Sequence, residues 1–307
     1  MNVIPYVNRP APLAWDVVTA IFGKDGDGTL LHSFEVGSVF QDDAGTTPGA
    51  PSAPLGKIVD QTGNGRNASQ PTLAWRPMLM QSGDVWYIQF DYSNSRLPIY
   101  LPNAIEGDLV IAGRKGTLIV PVSYATGTTL TIGPDTYTGG VPGILRAVGG
   151  VVAVALANRP LTAAERRQVV EFYKSKGAKG LLVPGPELNT GVRNTINGDW
   201  TEVGGVVTAS GTTANSNVSF NLNKSTVVGR SYLLNIPATL SKGTWFVDLG
   251  PGTGASQIGN LGDGTLHAVL LANNATSLVR VGRWTLDTAG AIGPISIREL
   301  RAEEDWV

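Results

Sequence analysis

Turn-forming residues interrupt this chain so often that few segments are long enough to form anything but a β-strand. Glycine occurs 39 times and proline 19 times in 307 residues, and the segments between them are mostly short and rich in β-branched or aromatic side chains. Short strands at turn-separated spacing are typical of β-sandwiches. A length of 307 residues suits two domains better than one. The sequence therefore predicts a mainly β fold class, with two β-sandwich (jelly-roll) domains.

A series of strands is predicted in the first domain, which we place at residues 30–180. The expected strands cover residues 30–34, 86–90, 97–101, 108–112, 116–122, 128–132 and 151–157. Residues 151–156 (VVAVAL) are apolar throughout, whereas a strand with one solvated face alternates between apolar and polar side chains. We therefore expect this last strand to be central and covered on both faces.

One segment, residues 162–176, carries a strong helix signal. Thr162 and Glu165 form the capping-box pattern, in which the hydroxyl and the carboxylate each accept a hydrogen bond from a backbone amide at the start of a helix. A narrow apolar side follows, and Gly177 supplies a residue that commonly ends helices. We therefore predict one clear helix here, closing the first domain.

A proline- and glycine-rich stretch at residues 181–186 is predicted to link the first domain to a second β-sandwich at residues 187–307, which ends in a short terminal tail. Strands are expected at residues 203–209, 218–222, 231–236, 243–249, 266–271, 277–282 and 295–300. Residues 218–222 and 231–236 alternate between apolar and polar side chains, which favours strands with one buried face.

The first 29 residues form a separate segment in this division, an N-terminal arm or attachment segment. Residues 13–22 (LAWDVVTAIF) predict a short helix stopped by Gly23, with Trp15, Val18 and Phe22 on one face. Two interpretations remain open. The helix packs on its own domain, or it docks on another subunit through Trp15 and Phe22.

The titratable residues argue against several kinds of chemistry. The chain has no cysteine and only two histidines, His32 and His267, which excludes disulfides, thiolate nucleophiles and zinc–thiolate sites. Neither histidine lies near a Gly-x-Ser-x-Gly nucleophile motif. The turn at 25–28 lacks the later glutamate of a calcium loop. The carboxylates of Asp42, Asp43 and residues 303–305 are predicted to be solvated or capping. We expect no catalytic residues, no metal and no cofactor.

The charge balance gives no sign of a nucleic-acid or membrane partner. The formal net charge is −1 and only 15% of the residues are charged, so neither a basic footprint for nucleic acid nor a polybasic membrane patch is indicated. No apolar run approaches the roughly 20 residues of a membrane span, and the first residues lack the basic and apolar regions of a signal peptide. We therefore predict neither nucleic-acid binding nor membrane insertion.

An ordered set of segments in the first domain resembles a known family. The segments are VFQDDAGTTP (39–48), VDQTGNGRNASQ (59–70), WRPML (75–79), WYIQFD (86–91) and ANRPLTAAE (157–165). They are similar to repeated phrases of bacteriophage virion proteins, from the tail, the fibre or the head decoration, that carry a concanavalin-like, LamG-type jelly-roll domain. The resemblance implies such a sandwich over residues 30–180, closed by the helix at 162–176.

The chain departs from that family at a point that concerns ligands. Where the family phrase has Phe-Asp-Gly-x-Asp-Asp, residues 90–95 are FDYSNS, so the carboxylate pair that could serve metal or sugar binding is missing. The second domain opens with ELN (187–189) and GDWT (198–201), which resembles the opening of carbohydrate-binding-module-like sandwiches. The resemblance therefore implies two sandwiches and carries over no sugar site.

The tryptophans are the main candidates for contacts, because aromatic faces stack on sugar rings and anchor interfaces. Trp200, Trp245 and Trp284 of the second domain are the candidates for carbohydrate or interface contact, and packing in the core is the alternative for each. Trp306 has little local chain to pack under. We therefore expect Trp306, like Trp15 and Phe22, to contact a partner subunit.

These observations leave two classes of function open. The first is a non-catalytic bacteriophage structural protein located in the virion, a head-decoration, fibre or tail-associated subunit. Its partners would be other virion proteins and copies of itself in a homo-oligomer. The alternative is a receptor-binding or lectin-like module that recognises host-surface glycans, and a polysaccharide hydrolase is the least supported class. The resemblance favours the first class.

Overall fold

The strands that the structure describes assemble into four antiparallel sheets that pair as two β-sandwiches. The computed structural model describes residues 15–23, 28–35, 37–91, 94–133, 145, 148–197, 200–203, 206–209, 217–242, 245–250, 256–261, 264–282 and 289–305. Over these residues the chain is mainly β, which confirms the predicted fold class. Neither α-helix in this part of the chain is long and apolar enough to cross a membrane.

The first domain contains strands β1 to β12. Their bounds are β1 Thr29–His32, β2 Val39–Phe40, β3 Ala53–Pro54, β4 Lys57–Ile58, β5 Ala68–Ser69, β6 Met78–Ser82, β7 Val85–Gln89, β8 Leu97–Leu101, β9 Ile105–Gly113, β10 Gly116–Tyr124, β11 Thr128–Ile132 and β12 Val151–Ala157. Sheet S1 has the order β10-β9-β12-β7-β6-β3, with β1 also paired to β12, and sheet S2 has the order β11-β8-β5-β4-β2. The predicted strands at 97–101, 128–132 and 151–157 coincide with β8, β11 and β12.

Strand β12 is central in S1 and buried along its whole length, as its uninterrupted apolar sequence predicted. Val154 and Leu156 point into the core between S1 and S2. Ala155 and Ala157 point to the other face, where the helices pack. The small alanine side chains let the helices approach the sheet closely, so the first domain has three layers: helices, S1 and S2.

Helix α2 (Ala163–Ser175) confirms the predicted helix, including its capping box. Thr162 accepts a hydrogen bond from the Glu165 amide, and the Glu165 carboxylate accepts one from the Thr162 amide. Arg159 donates two further hydrogen bonds to Glu165, and these contacts lower the pKa of Glu165 to about 2. The buried carboxylate of Asp108 accepts from the Leu161 amide at 2.8 Å, which ties the start of α2 to strand β9.

Helix α1 (Trp15–Gly23) lies in the region predicted to be helical, but it is part of the first domain. Val18, Ile21 and Phe22 are buried in one cluster with residues of α2, β1 and β12. Phe22 is only 1% exposed, so its assignment as a contact to a partner subunit is wrong for this fold. The chain supplies its own cover for this apolar face, as the first of the two interpretations held.

The second domain contains the remaining strands, β13 to β24. Their bounds are β13 Leu182–Glu187, β14 Asn189–Asn197, β15 Trp200–Val203, β16 Val206–Ala209, β17 Asn217–Leu222, β18 Ser231–Lys242, β19 Trp245–Leu249, β20 Ser256–Leu261, β21 Gly264–Leu271, β22 Leu278–Gly282, β23 Ala289–Ile292 and β24 Ser296–Ala302. Sheet S3 has the order β13-β24-β18-β23-β16-β15, with β21 paired to β18, and sheet S4 has the order β14-β17-β22-β19-β20.

The predicted linker at 181–186 differs from the structure, because most of it forms strand β13. Pro184 and Pro186 indicated a connection without pairing. Strand β13 is the edge strand of S3, however, and an edge strand tolerates proline because one side of its backbone needs no sheet partner. A shift of register between Pro184 and Glu187 absorbs the irregularity. The chain therefore passes from one sandwich to the other almost without a free connection.

The two sandwiches meet along an apolar contact supported by polar contacts. Leu182, Val269 and Leu300 of the second domain belong to the same buried cluster as Leu118 of the first. The Thr117 amide donates to the Gly180 carbonyl at 2.7 Å, which ties the segment that enters the second domain to β10. Residues 304 and 305 also hold the junction, since Glu304 accepts from the Gly180 amide and Asp305 pairs with Lys179 at 2.9 Å. Contacts of both kinds fix the domains against each other.

Candidate functional site

The loop at residues 42–47, in the first family-like phrase, is organised by one carboxylate. Asp42 accepts hydrogen bonds from the amides of Gly45, Thr46 and Thr47 and from the Thr46 hydroxyl. The bond from the Thr46 amide is the largest of the causes that hold the pKa of Asp42 well below its usual range. This arrangement confirms the predicted capping role, and it commits the carboxylate to the loop rather than to a ligand.

The second phrase contains a buried acidic residue with a similar task. Asp60 accepts hydrogen bonds from the amides of Leu30, Thr62 and Arg66 and from the Thr62 hydroxyl. The Arg66 side chain is buried and donates to the Gly28 carbonyl at 3.3 Å. Asp60 and Arg66 therefore close the 60–66 loop onto the beginning of β1.

The third phrase contains an arginine, Arg76, that joins separate loops. Arg76 donates to the backbone carbonyls of Gln70, Gln41 and Pro71, at 2.8, 2.8 and 2.9 Å, and pairs with Asp43 at 3.3 Å. Gln70 is itself buried, and its side-chain amide donates to the Arg96 carbonyl. The polar residues of the family-like phrases thus hold loops of one sandwich in place.

The loop held in this way presents an exposed apolar turn, residues 71–75, which we call the Trp75 turn. Leu73 is 63% exposed and Trp75 is 39% exposed. The guanidinium of Arg96 lies over the Trp75 ring, 3.7 Å from its centroid, and the Arg96 amide donates to the Trp75 carbonyl. An indole that is fixed in position and open to solvent can stack on an apolar sugar face or anchor a protein contact.

The predicted tryptophan sites of the second domain receive no support where the structure describes them. Trp200 begins β15 but is only 4% exposed and packs in the core of the second sandwich, so its assignment to ligand contact is wrong and the core alternative holds. Trp245 begins β19, with its side chain outside the described residues. Trp284 lies outside the described residues altogether.

The remaining predicted partner contacts also fall largely outside the described part of the chain. Trp15 begins α1, but its side chain is not among the described ones, and Trp306 lies beyond the last described residue. The calcium-like turn at 25–28 is described only at Gly28. Among the described residues, no group of three or more histidine, aspartate or glutamate side chains is placed to hold a metal ion.

The two histidines lie in strands of different domains. His32 is fully buried beneath α2, where its Nε2 lies 3.1 Å from the Tyr173 hydroxyl. Burial, reinforced by the positive charge of Lys176, lowers the pKa of His32 well below its ordinary value. His267 lies in β21 opposite Asn235, as the strand pattern around it predicted.

Sequence reasoning did not single out Trp75 as a site. The signal that could have found it is its position between two polar anchors, Gln70 and Arg76, on a short segment without strand alternation. A large aromatic residue on such a short, tied turn has little chain beneath which to pack, and exposure follows.

The fold and these contacts define a protein of two docked β-sandwiches. No protein-family model matches the chain, and no curated protein matches it significantly. The solved structures that resemble it include the secreted serine protease VesC from Vibrio cholerae, with 12% identity over 66% of this chain and 46% of that chain and a TM-score of 0.26. An exo-β-1,3-galactanase from Phanerochaete chrysosporium follows, with 10% identity over 78% of this chain and 74% of that chain and a TM-score of 0.28.

A cycloalternan-forming enzyme from Listeria monocytogenes is a third, with 12% identity over 80% of this chain and a TM-score of 0.23. The match spans 21% of that enzyme, so the chain corresponds to less than half the length of both bacterial proteins. Likenesses at these TM-scores carry no argument about the fold or activity of this chain.

Proposed function

We propose that this chain is a non-catalytic structural subunit of a bacteriophage virion, a head-decoration, fibre or tail-associated protein that acts through protein–protein contacts. One observation carries the proposal. The segments that resemble phage virion proteins are those whose side chains hold the loops of the first sandwich and the start of its helix, as Asp42, Asp60, Arg76 and Glu165 do. The likeness therefore concerns residues that a shared scaffold needs.

The junction between the sandwiches is also suited to this role. A subunit that forms part of a particle must hold its contact surfaces at fixed positions. The buried leucines and valine at the junction, with the Lys179–Asp305 pair, oppose relative motion of the two domains. Two docked sandwiches thus offer surfaces at fixed positions to neighbouring subunits.

The test is to look for the chain in the particle that its gene accompanies. We expect quantitative mass spectrometry of density-purified particles to find it in many copies per particle, and an antibody to the folded protein to label them. Particles grown from a genome with the gene deleted are the matched control. Absence of the chain from purified particles, with the protein abundant in the unassembled lysate fraction, would overturn the proposal.

The Trp75 turn favours one second candidate, recognition of a host-surface glycan. Its exposed indole and the adjacent guanidinium of Arg96 could stack on a sugar ring and donate to its hydroxyl groups. Tyr100 is an exposed aromatic residue of the same domain, so Tyr100→Ala is a matched control.

If glycan recognition is correct, the intact protein binds a subset of host polysaccharides on an array. Trp75→Ala then weakens that binding by at least about tenfold, since anchor residues typically contribute that much or more. Tyr100→Ala leaves it unchanged. Equal loss in both variants, or no binding to any host polysaccharide, would eliminate this candidate.

A further inference from the structure

A cleft lies between the two sandwiches, beside the apolar junction. Its volume is about 340 Å³, and its wall is formed by the β9–β10 turn of the first domain and by segments next to β13, β18 and β24 of the second. Its charged lining residues are Arg114, Lys115, Lys179, Arg230, Arg301 and Asp305. The cleft therefore concentrates cations in a chain whose formal net charge is −1.

Two carboxylates of the described residues, Asp305 and Glu299, form ion pairs with these cations. Asp305 pairs with Lys179 at 2.9 Å. Glu299 is shared by two arginines, Arg230 at 2.7 Å and Arg301 at 2.6 Å. One carboxylate therefore accepts from two guanidinium groups on the second-domain side of the cleft.

The first-domain side adds two more cations. Arg114 and Lys115 are exposed at the tip of the β9–β10 turn, and no carboxylate of the described residues forms an ion pair with either. Arg114 lies over the Tyr87 ring, 4.5 Å from its centroid. The amides of both residues donate to backbone carbonyls at 2.9 Å, those of Gly150 and Val148. The turn is thus held in place while its charges face solvent.

The side chains on the opposite wall are also oriented before any ligand arrives. Arg301 forms two hydrogen bonds to the Glu299 carboxylate, through Nε at 2.6 Å and Nη2 at 3.0 Å. Arg230 donates to the same carboxylate through Nη1 at 2.7 Å. Guanidinium groups fixed in this way lose little conformational entropy on binding, and the planar fork of a guanidinium matches the geometry of phosphate and carboxylate oxygens.

We propose that this cleft is a binding site for a small anionic group, a phosphate or carboxylate carried on a single sugar-sized unit. The cleft volume lies at the lower end of small-molecule sites, and domain interfaces are frequent places for such sites. Cations from both domains contribute, so an occupant would bridge the sandwiches and strengthen their junction. The site is separate from the Trp75 turn and does not depend on the chain being a virion subunit.

Titration calorimetry on the full chain tests the proposal with four probes: inorganic phosphate, glucose 6-phosphate, glucuronate and neutral glucose. We expect saturable binding of at least one anionic probe that weakens as salt is raised, and no binding of glucose. A preference for the two phosphates indicates a phosphate site, and a preference for glucuronate indicates a carboxylate site. Either preference supports the proposal.

The variant Arg114→Gln/Lys115→Gln should weaken that binding at least about tenfold, because it removes charge-assisted hydrogen bonds. Lys224→Gln, which removes an exposed cation outside the cleft, is the control and should bind normally. Because residues 114 and 115 are exposed, the thermal midpoint of the double variant should stay near that of the parent.

Three results would overturn the proposal. They are no binding of any anionic probe up to about 10 mM, well above the range of a useful site, equal binding of glucose, and binding that the double variant leaves unchanged. Binding of a short single-stranded DNA, with none of the small anions, would also overturn it in favour of a nucleic-acid surface.

Discussion

The junction between the sandwiches can be tested at Gly116, the first residue of β10. A Cβ added there would lie 2.3 Å from Cδ2 and 2.4 Å from Cγ of Leu182, the first residue of β13 in the other domain. Carbon atoms pack at about 3.5–4.0 Å, so Gly116→Ala forces Leu182 or the junction to move by more than an ångström. Leu182 is only 7% exposed and has little room to do so. Overpacking of this kind costs about 1–3 kcal/mol.

A double-mutant cycle separates this contact from a local effect at the turn. Leu182→Ala alone should cost about 2–5 kcal/mol, as for other buried leucines. With both changes together, the new methyl group enters the space that Leu182 leaves. The double variant should therefore be more stable than the sum of the single losses predicts, by at least about 1 kcal/mol.

Urea unfolding followed by tryptophan fluorescence measures all three variants. Gly23→Ala is the control, because a Cβ at that position meets no described atom within 4 Å, and we expect its free energy of unfolding to change by less than about 1 kcal/mol. If the stability lost in the double variant equals the sum of the losses in the Gly116→Ala and Leu182→Ala variants to within about 0.5 kcal/mol, the contact is refuted, and with it the docked arrangement of the domains.

Three further predictions concern the first domain. Burial lowers the pKa of His32, so the folded state binds a proton at this residue less readily than the unfolded state does. The free energy of unfolding should therefore fall as pH falls below about 6.5, the ordinary pKa of histidine, by up to about 1.4 kcal/mol per pH unit. Urea unfolding at several pH values should show this slope in the parent and not in His32→Leu; the same slope in both would contradict it. Thr162→Ala should lower the free energy of unfolding, measured by thermal unfolding, by about 1 kcal/mol. Thr162→Ser should retain most of that stability, because the cap needs only the hydroxyl oxygen, and equal losses in the two variants would argue against the cap. Phe22→Ala should lower the free energy of unfolding by about 3–5 kcal/mol and leave the sedimentation coefficient of the folded protein unchanged. A change of oligomeric state without a loss of stability would instead favour the interpretation that the helix docks on another subunit.

Where the sequence predicted structure well, the signal was local. Helix α2 follows from a capping box that lies within four residues and an end marked by Gly177, whose φ of +94° suits glycine. Strand β12 was predicted from an uninterrupted apolar run, which a strand with one solvated face would not contain. Strands β8 and β11 are short and bounded by turns, β11 is rich in β-branched residues, and the ends of both coincide with the predicted ones.

What the sequence missed depends on contacts between distant residues. The paired segments of β2, β4 and β5 are two residues long and become strands only through their neighbours in S2. Pro184 and Pro186 hid β13, since whether a proline-bearing segment can join a sheet depends on which edge it occupies.

The candidate sites show the same division. Trp75 lies outward on its turn, whereas Trp200 lies inward in its sandwich, where residues distant in the sequence cover it. The cleft between the domains could not be predicted either, because Arg114, Lys115, Arg230 and Arg301 are brought together only when the two sandwiches dock.

A cryo-electron-microscopy reconstruction of the particle that the gene accompanies tests the proposed virion role and the fixed junction together. We expect density for both sandwiches in one fixed mutual arrangement, repeated in many symmetry-related copies, with contacts to neighbouring virion proteins. A particle map that accounts for all its density without this chain would contradict the proposed role, and copies whose two domains take different mutual orientations would contradict the fixed junction on which it rests.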